Sequence, residues 1–199
     1  MASVFIIINL PAVVNQKSNR TIIAEDAAAI QLPRWQGLAP QFDAGARWLL
    51  LGSFPGLASL KAQQYYGHPR NQFWRLLGDV FGLPLVTLSY EQRLATLRRQ
   101  GIALWDVISE TEREGSLDSN IRDPHASDLA WLLSQLPQLQ TIGFNGGTAA
   151  RIGQRQLMAL GEAPWRIVNL PSSSPAYTMA YDAKLASWQA LGRPGEGGL

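Results

Sequence analysis

The sequence predicts an α/β protein, a three-layer α/β/α sandwich built on a central four-stranded parallel sheet. Three observations carry that prediction. Four short apolar runs, Trp48–Leu51, Ile102–Val107, Thr141–Phe144 and Trp165–Leu170, have the length and composition of strands. Segments with helical apolar spacing lie between them, and alternation of strand and helix is the signature of parallel sheets with crossover helices. Each run is closed by polar or glycine-rich punctuation: Gly52-Ser53-Phe54-Pro55-Gly56, then Asp106 and the polar stretch after it, then Asn145-Gly146-Gly147, then Pro171-Ser172-Ser173-Ser174-Pro175. Parallel strands end at one edge of their sheet, so residues distant in sequence meet in one cleft there.

The elements follow in order. Residues 1–34 read as an N-terminal extension, 35–191 as a single α/β domain and 192–199 as a flexible tail. The apolar run Val4–Leu10 is too short to cross a bilayer and lacks the basic flank and cleavage site of a signal peptide, so it reads as an extra strand or arm. Trp48–Leu51 is the first strand of the domain. A loop with Tyr65, Tyr66 and His68-Pro69-Arg70-Asn71 leads into a helix from about Asn71 to Phe81, whose apolar residues Phe73, Trp74, Leu76, Leu77 and Val80 share one face before Gly82. Ser89 and Gln92 have the capping-box spacing of a second helix, which stops at Gly101. The second strand, Ile102–Val107, precedes a long polar stretch from Ser109 to Ser127, read as a functional or mobile loop. Ser127 is placed to cap a short helix through Leu136. The third strand, a helix from Thr148 to Leu160, the fourth strand and a helix carrying Tyr181, Leu185 and Trp188 complete the domain.

Composition excludes several function classes. The 199 residues suffice for a full core, and 46% hydrophobic residues with seven tryptophans exclude a disordered chain. There is no cysteine, hence no disulfide, thiolate ligand or cysteine nucleophile. The two histidines, His68 and His125, lack metal-ligand spacing. Gly52–Gly56 is not followed by the Gly-Lys-Ser/Thr of a P-loop, and there is no Gly-x-Ser-x-Gly elbow. The formal net charge of +2 permits a polyanionic partner without demanding one. Arginine supplies most of the positive charge, a bias that genome composition explains better than phosphate binding does.

At GSFPG, YYGHPRNQFW, NGG and LPSSSPA the sequence resembles the uracil-DNA glycosylase superfamily, and within it the hypoxanthine-DNA (deoxyinosine) glycosylase branch, family 6. The resemblance spans roughly Gln36 to Trp188. The first two motifs, in order and close together, carry most of its specificity. It implies a monofunctional glycosylase that flips a deaminated base out of DNA, hypoxanthine first among them, and hydrolyses its N-glycosidic bond in base excision repair. No lysine lies in the matched motifs, which argues against a Schiff-base lyase step. The resemblance further implies a monomer acting on DNA in the cytoplasm, at the nucleoid, with no membrane attachment and no metal or other cofactor.

Roles transfer position by position. Tyr66 matches the aromatic that stacks on the flipped base, while Gly52, Ser53 and Phe54 form the turn against base and sugar. His68 is placed to reach base or phosphate, Arg70 to hold phosphate, and Asn145 to read the base edge. Pro171, Ser172, Ser173 and Ser174 form the phosphate-gripping loop, with Tyr177 or Met179 as the wedge. Most of the superfamily positions water with a polar residue where this chain has Phe54. In the hypoxanthine branch Asn71 takes that role, and Asp118 is the carboxylate in reserve. Asn71 also sits where a helix cap belongs, and either Tyr65 or Tyr66 can be a core residue. Three alternatives stay open: a uracil- or xanthine-DNA glycosylase, a non-catalytic lesion binder of the same fold, which the apolar Phe54 and Leu170 favour, and a hydrolase of free nucleosides.

Overall fold

The computed structural model describes residues 32–161 and 164–192. The extension expected at 1–34 and the tail expected at 192–199 fall almost wholly outside the described residues.

Strands β2 (Trp48–Gly52), β3 (Ile102–Asp106), β6 (Thr141–Asn145) and β7 (Arg166–Leu170) form one sheet in the order β3-β2-β6-β7, with every neighbouring pair parallel. The expected central sheet is therefore present. β2, β3 and β6 are buried at every position, which is why they read as continuous apolar runs rather than alternating ones.

Successive strand residues point to opposite faces, and two glycines show what covers each. Gly143 of β6 leaves room for Leu50 and for Leu191, which follows helix α6 (Tyr181–Trp188). Its neighbour Phe144 points the other way, into the space left by Gly153 of α5 (Gly147–Ala159). Helices α2 (Phe73–Phe81) and α6 pack together on the first face, with the Phe73 and Trp188 rings edge to face at 5.7 Å and Trp48 against Phe81 at 5.5 Å. On this side α3 (Tyr90–Arg99) sets Tyr90 against Trp74 and opens with the expected capping box at Ser89 and Gln92. The opposite face carries α5 and α4 (Leu129–Ser134), whose Trp131 meets Trp105 of β3. This is the predicted three-layer arrangement.

Three expectations need correction. The stretch Ser109–Ser127 is not one long loop: β4 (Ile108–Glu112) and β5 (Arg122–Ala126) pair antiparallel, and β1 (Arg34–Gln36) adds to β4. Its sequence hides this sheet because register shifts break the alternation, leaving Ile108 and Thr111 as the buried positions of β4, and because Arg34 pairs with Glu110, Glu112 and Asp123 on the exposed side. A short helix, α1 (Leu57–Ala62), follows the glycine-proline turn where a loop was expected. Asp128, not Ser127, caps α4, accepting from the Trp131 amide at 2.9 Å. No helix among the described residues is long and apolar enough to cross a membrane.

Candidate active site

The last residues of the four parallel strands lie side by side. Register places Asp106 beside Gly52 and Asn145 beside Leu170, while Leu51 opposite Phe144 joins the two pairs. Above this row opens a cleft of about 550 Å³, within the size range of small-molecule sites. The turn after β2, the loop before α2, the start of α5 and the loop after β7 form its walls.

The turn Gly52–Gly56 owes its shape to the polar stretch after β4. Arg113 Nη2 donates to the Pro55 carbonyl at 2.5 Å, Ser116 Oγ accepts from the Leu57 amide at 3.0 Å, and Ser53 Oγ donates to Asp118 at 2.8 Å. Asp118 thus reaches the cleft wall as a carboxylate held by Ser53. Phe54 is buried, with the Arg113 guanidinium 4.9 Å from its ring centre. An apolar side chain at this position is one wall of the cleft and covers a buried cation.

The two adjacent tyrosines divide the work. Tyr65 is core: its hydroxyl donates toward the Leu38 and Ala39 carbonyls, and its amide donates to the Tyr90 hydroxyl at 2.9 Å. Tyr66 lines the cleft with a backbone φ of +54°, a conformation that costs a bulky residue energy and that the surroundings must impose. The ring of Phe73, itself fully buried, stacks behind Tyr66 at 3.6 Å and 11°. Tyr66 therefore stands as a plate backed on one side by the core.

His68-Pro69-Arg70-Asn71 is a turn closed by the Asn71 amide donating to the His68 carbonyl at 2.8 Å, with proline at the position where its fixed φ favours the turn. His68 lines the cleft, and its Nδ1 accepts from the Arg70 amide at 3.1 Å, which leaves Nε2 to carry the proton of the neutral ring. Asn71 lines the cleft as well. Its Oδ1 accepts from the amide of Phe73, the first residue of α2, at 2.9 Å, so the side-chain NH₂ remains to be used. Arg70 is exposed and does not line the cleft.

Behind this wall, Asn145 and Ser173 form a buried clamp. The Asn145 amide donates to Ser173 Oγ at 2.8 Å and accepts from the Ser173 backbone at 2.8 Å. The Ser173 carbonyl accepts from the Gln72 amide at 3.0 Å, and buried Lys184 binds both Gln72 Oε1 and the Tyr177 carbonyl. Desolvation lowers the pKa of Lys184. Three of the four motifs, those of Gln72, Asn145 and Ser173, are thus tied together at their backs. Ser172 and Ser174 line the cleft, whereas Pro171 gives its carbonyl to Trp188 and anchors the loop. Tyr177 stands exposed at the rim and Met179 exposed two residues further on.

A profile of the uracil DNA glycosylase superfamily matches residues 39–192. The chain belongs to that superfamily. It is 37% identical over 153 residues to a hypoxanthine DNA glycosylase of Methanosarcina barkeri, covering 77% of this chain and 94% of that one. It is 38% identical over 158 residues to the hypoxanthine DNA glycosylase of Methanosarcina acetivorans, covering 79% and 98%. A solution NMR structure of a Methanosarcina acetivorans protein proposed to be a uracil DNA glycosylase matches with a TM-score of 0.71 and 37% identity, over 80% of this chain and 96% of that one.

Several polar residues of this superfamily site escape the sequence reading, Asp106 and Arg151 among them. In the sequence Asp106 is only the punctuation after β3, yet its carboxyl lines the cleft while being 4% exposed. Its place at a strand end, level with Gly52, is the available signal. Among the described residues no group of three or more His, Asp or Glu side chains is placed to hold a metal ion.

Proposed function

We propose that this chain is a monofunctional DNA glycosylase that hydrolyses the N-glycosidic bond of deoxyinosine in DNA, releasing hypoxanthine and leaving an abasic site. The observation that carries the reading is the Tyr66 plate in the lining of a cleft whose walls also present Asn71 and Asp118. The names of the two Methanosarcina relatives support the same base.

The residues divide the reaction as follows. The flipped base lies on Tyr66, whose backing by Phe73 lets it offer a flat surface without reorganisation; stacking of this kind contributes about 1–3 kcal/mol per base. Gly52, Ser53 and Phe54 close on base and sugar. Ser172 and Ser174 hold the flanking phosphates, Ser173 and Pro171 hold that loop in place, and Arg70 adds a phosphate contact at the rim. Asn71 directs a water at C1′ through its amide. An amide orients water but is a weak base, so the barrier falls mainly through electrostatic stabilisation of the departing base. Asp118, held by Ser53, is the second group able to engage that water. The protein works as a monomer on DNA at the nucleoid and needs no metal.

Labelled oligonucleotides with one deoxyinosine, deoxyuridine or deoxyxanthosine, single- and double-stranded, incubated in EDTA and then treated with alkali, test this reading. Strand scission at inosine supports it. Scission at uracil alone replaces the substrate, and lesion-dependent binding without scission replaces the enzyme by a binder.

A further inference from the structure

None of the roles above uses Asp106. It ends β3 beside Gly52, 4% exposed in the cleft wall, and its Oδ2 is buried without a hydrogen-bond partner. The carboxyl and the Tyr66 hydroxyl converge over the Gly52 α-carbon: a β-carbon there would run into Asp106 Oδ1 and stand 3.2 Å from Tyr66 Oη. That hydroxyl is also buried and unpartnered, with the Asn145 amide beside it but not in a regular hydrogen bond. Buried polar groups are nearly always satisfied within a folded protein. Two adjacent orphans in the lining of a cleft mark groups whose partner is a ligand.

Three segments present charged or titratable groups to Asp106: Arg113 from the end of β4, Asp118 from the turn after it, and Tyr65 and Tyr66 from the loop before α2. Desolvation is the largest influence, the Asp118 charge adds to it, and the Arg113 guanidinium opposes both, so the carboxyl is pushed up to about 7. The Arg113 guanidinium itself spends one NH₂ on the Pro55 carbonyl, and its remaining buried donors reach no partner, Asp106 included. A carboxyl surrounded in this way is an acid that lacks an acceptor.

We propose that Asp106, protonated, donates a hydrogen bond to an acceptor atom on the edge of the flipped base and passes that proton to the base as the glycosidic bond breaks. This deepens the glycosylase reading and rests on it. The bonding pair of the C1′–N bond leaves with the base, and the Asp106 proton neutralises it. Water then adds to C1′, and its displaced proton returns to the Asp106 carboxylate. The sum is base plus abasic sugar for one water consumed. General acid catalysis of this kind is worth about 10²–10⁴-fold.

Single-turnover release of base from a deoxyinosine oligonucleotide, followed from pH 5.5 to 9, tests the assignment. The wild type is expected to be fastest at the acid end and to fall toward tenfold per pH unit above neutrality. Asp106→Asn should lose about 100-fold at pH 6 and show no such fall, while melting no lower than the wild type and keeping its affinity for abasic-site DNA. His68→Gln is run beside it because histidine as a residue type titrates in the same range; it should retain the falling limb. An Asp106→Asn rate within threefold of wild type, or one with the limb intact, overturns the proposal. So does a flat wild-type profile, which needs no variant. Release of uracil but not hypoxanthine would fail the substrate reading alone, since the Asp106 comparison can then be made on uracil. Absence of any release would fail the glycosylase reading itself.

Discussion

Asn71 serves two ends with one amide. Its oxygen satisfies the Phe73 N–H that opens α2, and its NH₂ stays in the cleft. Serine caps a helix about as well as asparagine but cannot reach as far, so the two ends can be separated. Asn71→Ser should keep the unfolding free energy within about 0.5 kcal/mol while excision falls about 100-fold; Asn71→Ala should lose the excision and about 1 kcal/mol as well. Urea melts and single-turnover rates read the two effects. Asp106 makes a prediction of opposite kind, about stability alone. Burial raises its pKa from 3.8 to about 7, so between those values the folded chain binds a proton that the unfolded chain has released. Its contribution is therefore fully present below about pH 4 and is lost as pH rises to 7. The stability of the wild type relative to Asp106→Asn should fall across that window by up to a few kcal/mol, with a slope of at most about 1.4 kcal/mol per pH unit, and level off above it. Urea melts of both proteins from pH 4 to 8 check the sign.

At the scale of elements, the central sheet and its helices are readable in the sequence because each strand is buried on both faces and each helix keeps an apolar stripe. For these elements the boundaries agree within one or two residues. The small antiparallel sheet is not readable. Its buried side chains include Thr111, the buried Arg113 follows directly after β4, and its pairing is irregular, so neither composition nor period betrays it. The candidate site divides along the same line. Motif positions tell where Tyr66 and Asn71 belong, but the clamp between Asn145 and Ser173 joins residues 28 apart and exists only when β6 and the loop after β7 meet. For the same reason Asn145, expected to read the base, is found holding the loop with both ends of its amide. Removing either partner strands a buried polar group, at about 1–3 kcal/mol. Asn145→Ala and Ser173→Ala should each destabilise by that amount, and the double variant by much less than their sum. A double-mutant cycle with thermal or urea unfolding measures the coupling, and additivity would mean the clamp is not formed.

For the molecule as a whole, the topology gathers four strand ends into one row and then lays the motifs over it. Asp106, Gly52, Asn145 and Leu170 are neighbours because parallel strands share an edge, not because the chain brings them close. The small sheet adds the buried Arg113 and the Ser116 and Asp118 contacts that fix the glycine-proline turn above that row. DNA must approach this face, where Arg70 and Arg151 are exposed and Arg151 lines the cleft. Replacing either by alanine should weaken binding to any DNA sequence and lower the slope of log affinity against log salt by about one, as measured by fluorescence anisotropy across a salt series. In the proposed reaction this cleft cleaves the glycosidic bond of a deaminated purine nucleotide without a covalent enzyme intermediate. The most direct measurement incubates the protein with a deoxyinosine duplex in EDTA, assays free hypoxanthine by mass spectrometry, and adds borohydride to a parallel sample to trap any Schiff base. Stoichiometric free hypoxanthine, an intact but alkali-labile strand and no protein–DNA adduct are the expected outcome. A trapped adduct, or an inosine strand that stays alkali-stable with no hypoxanthine released, would contradict it.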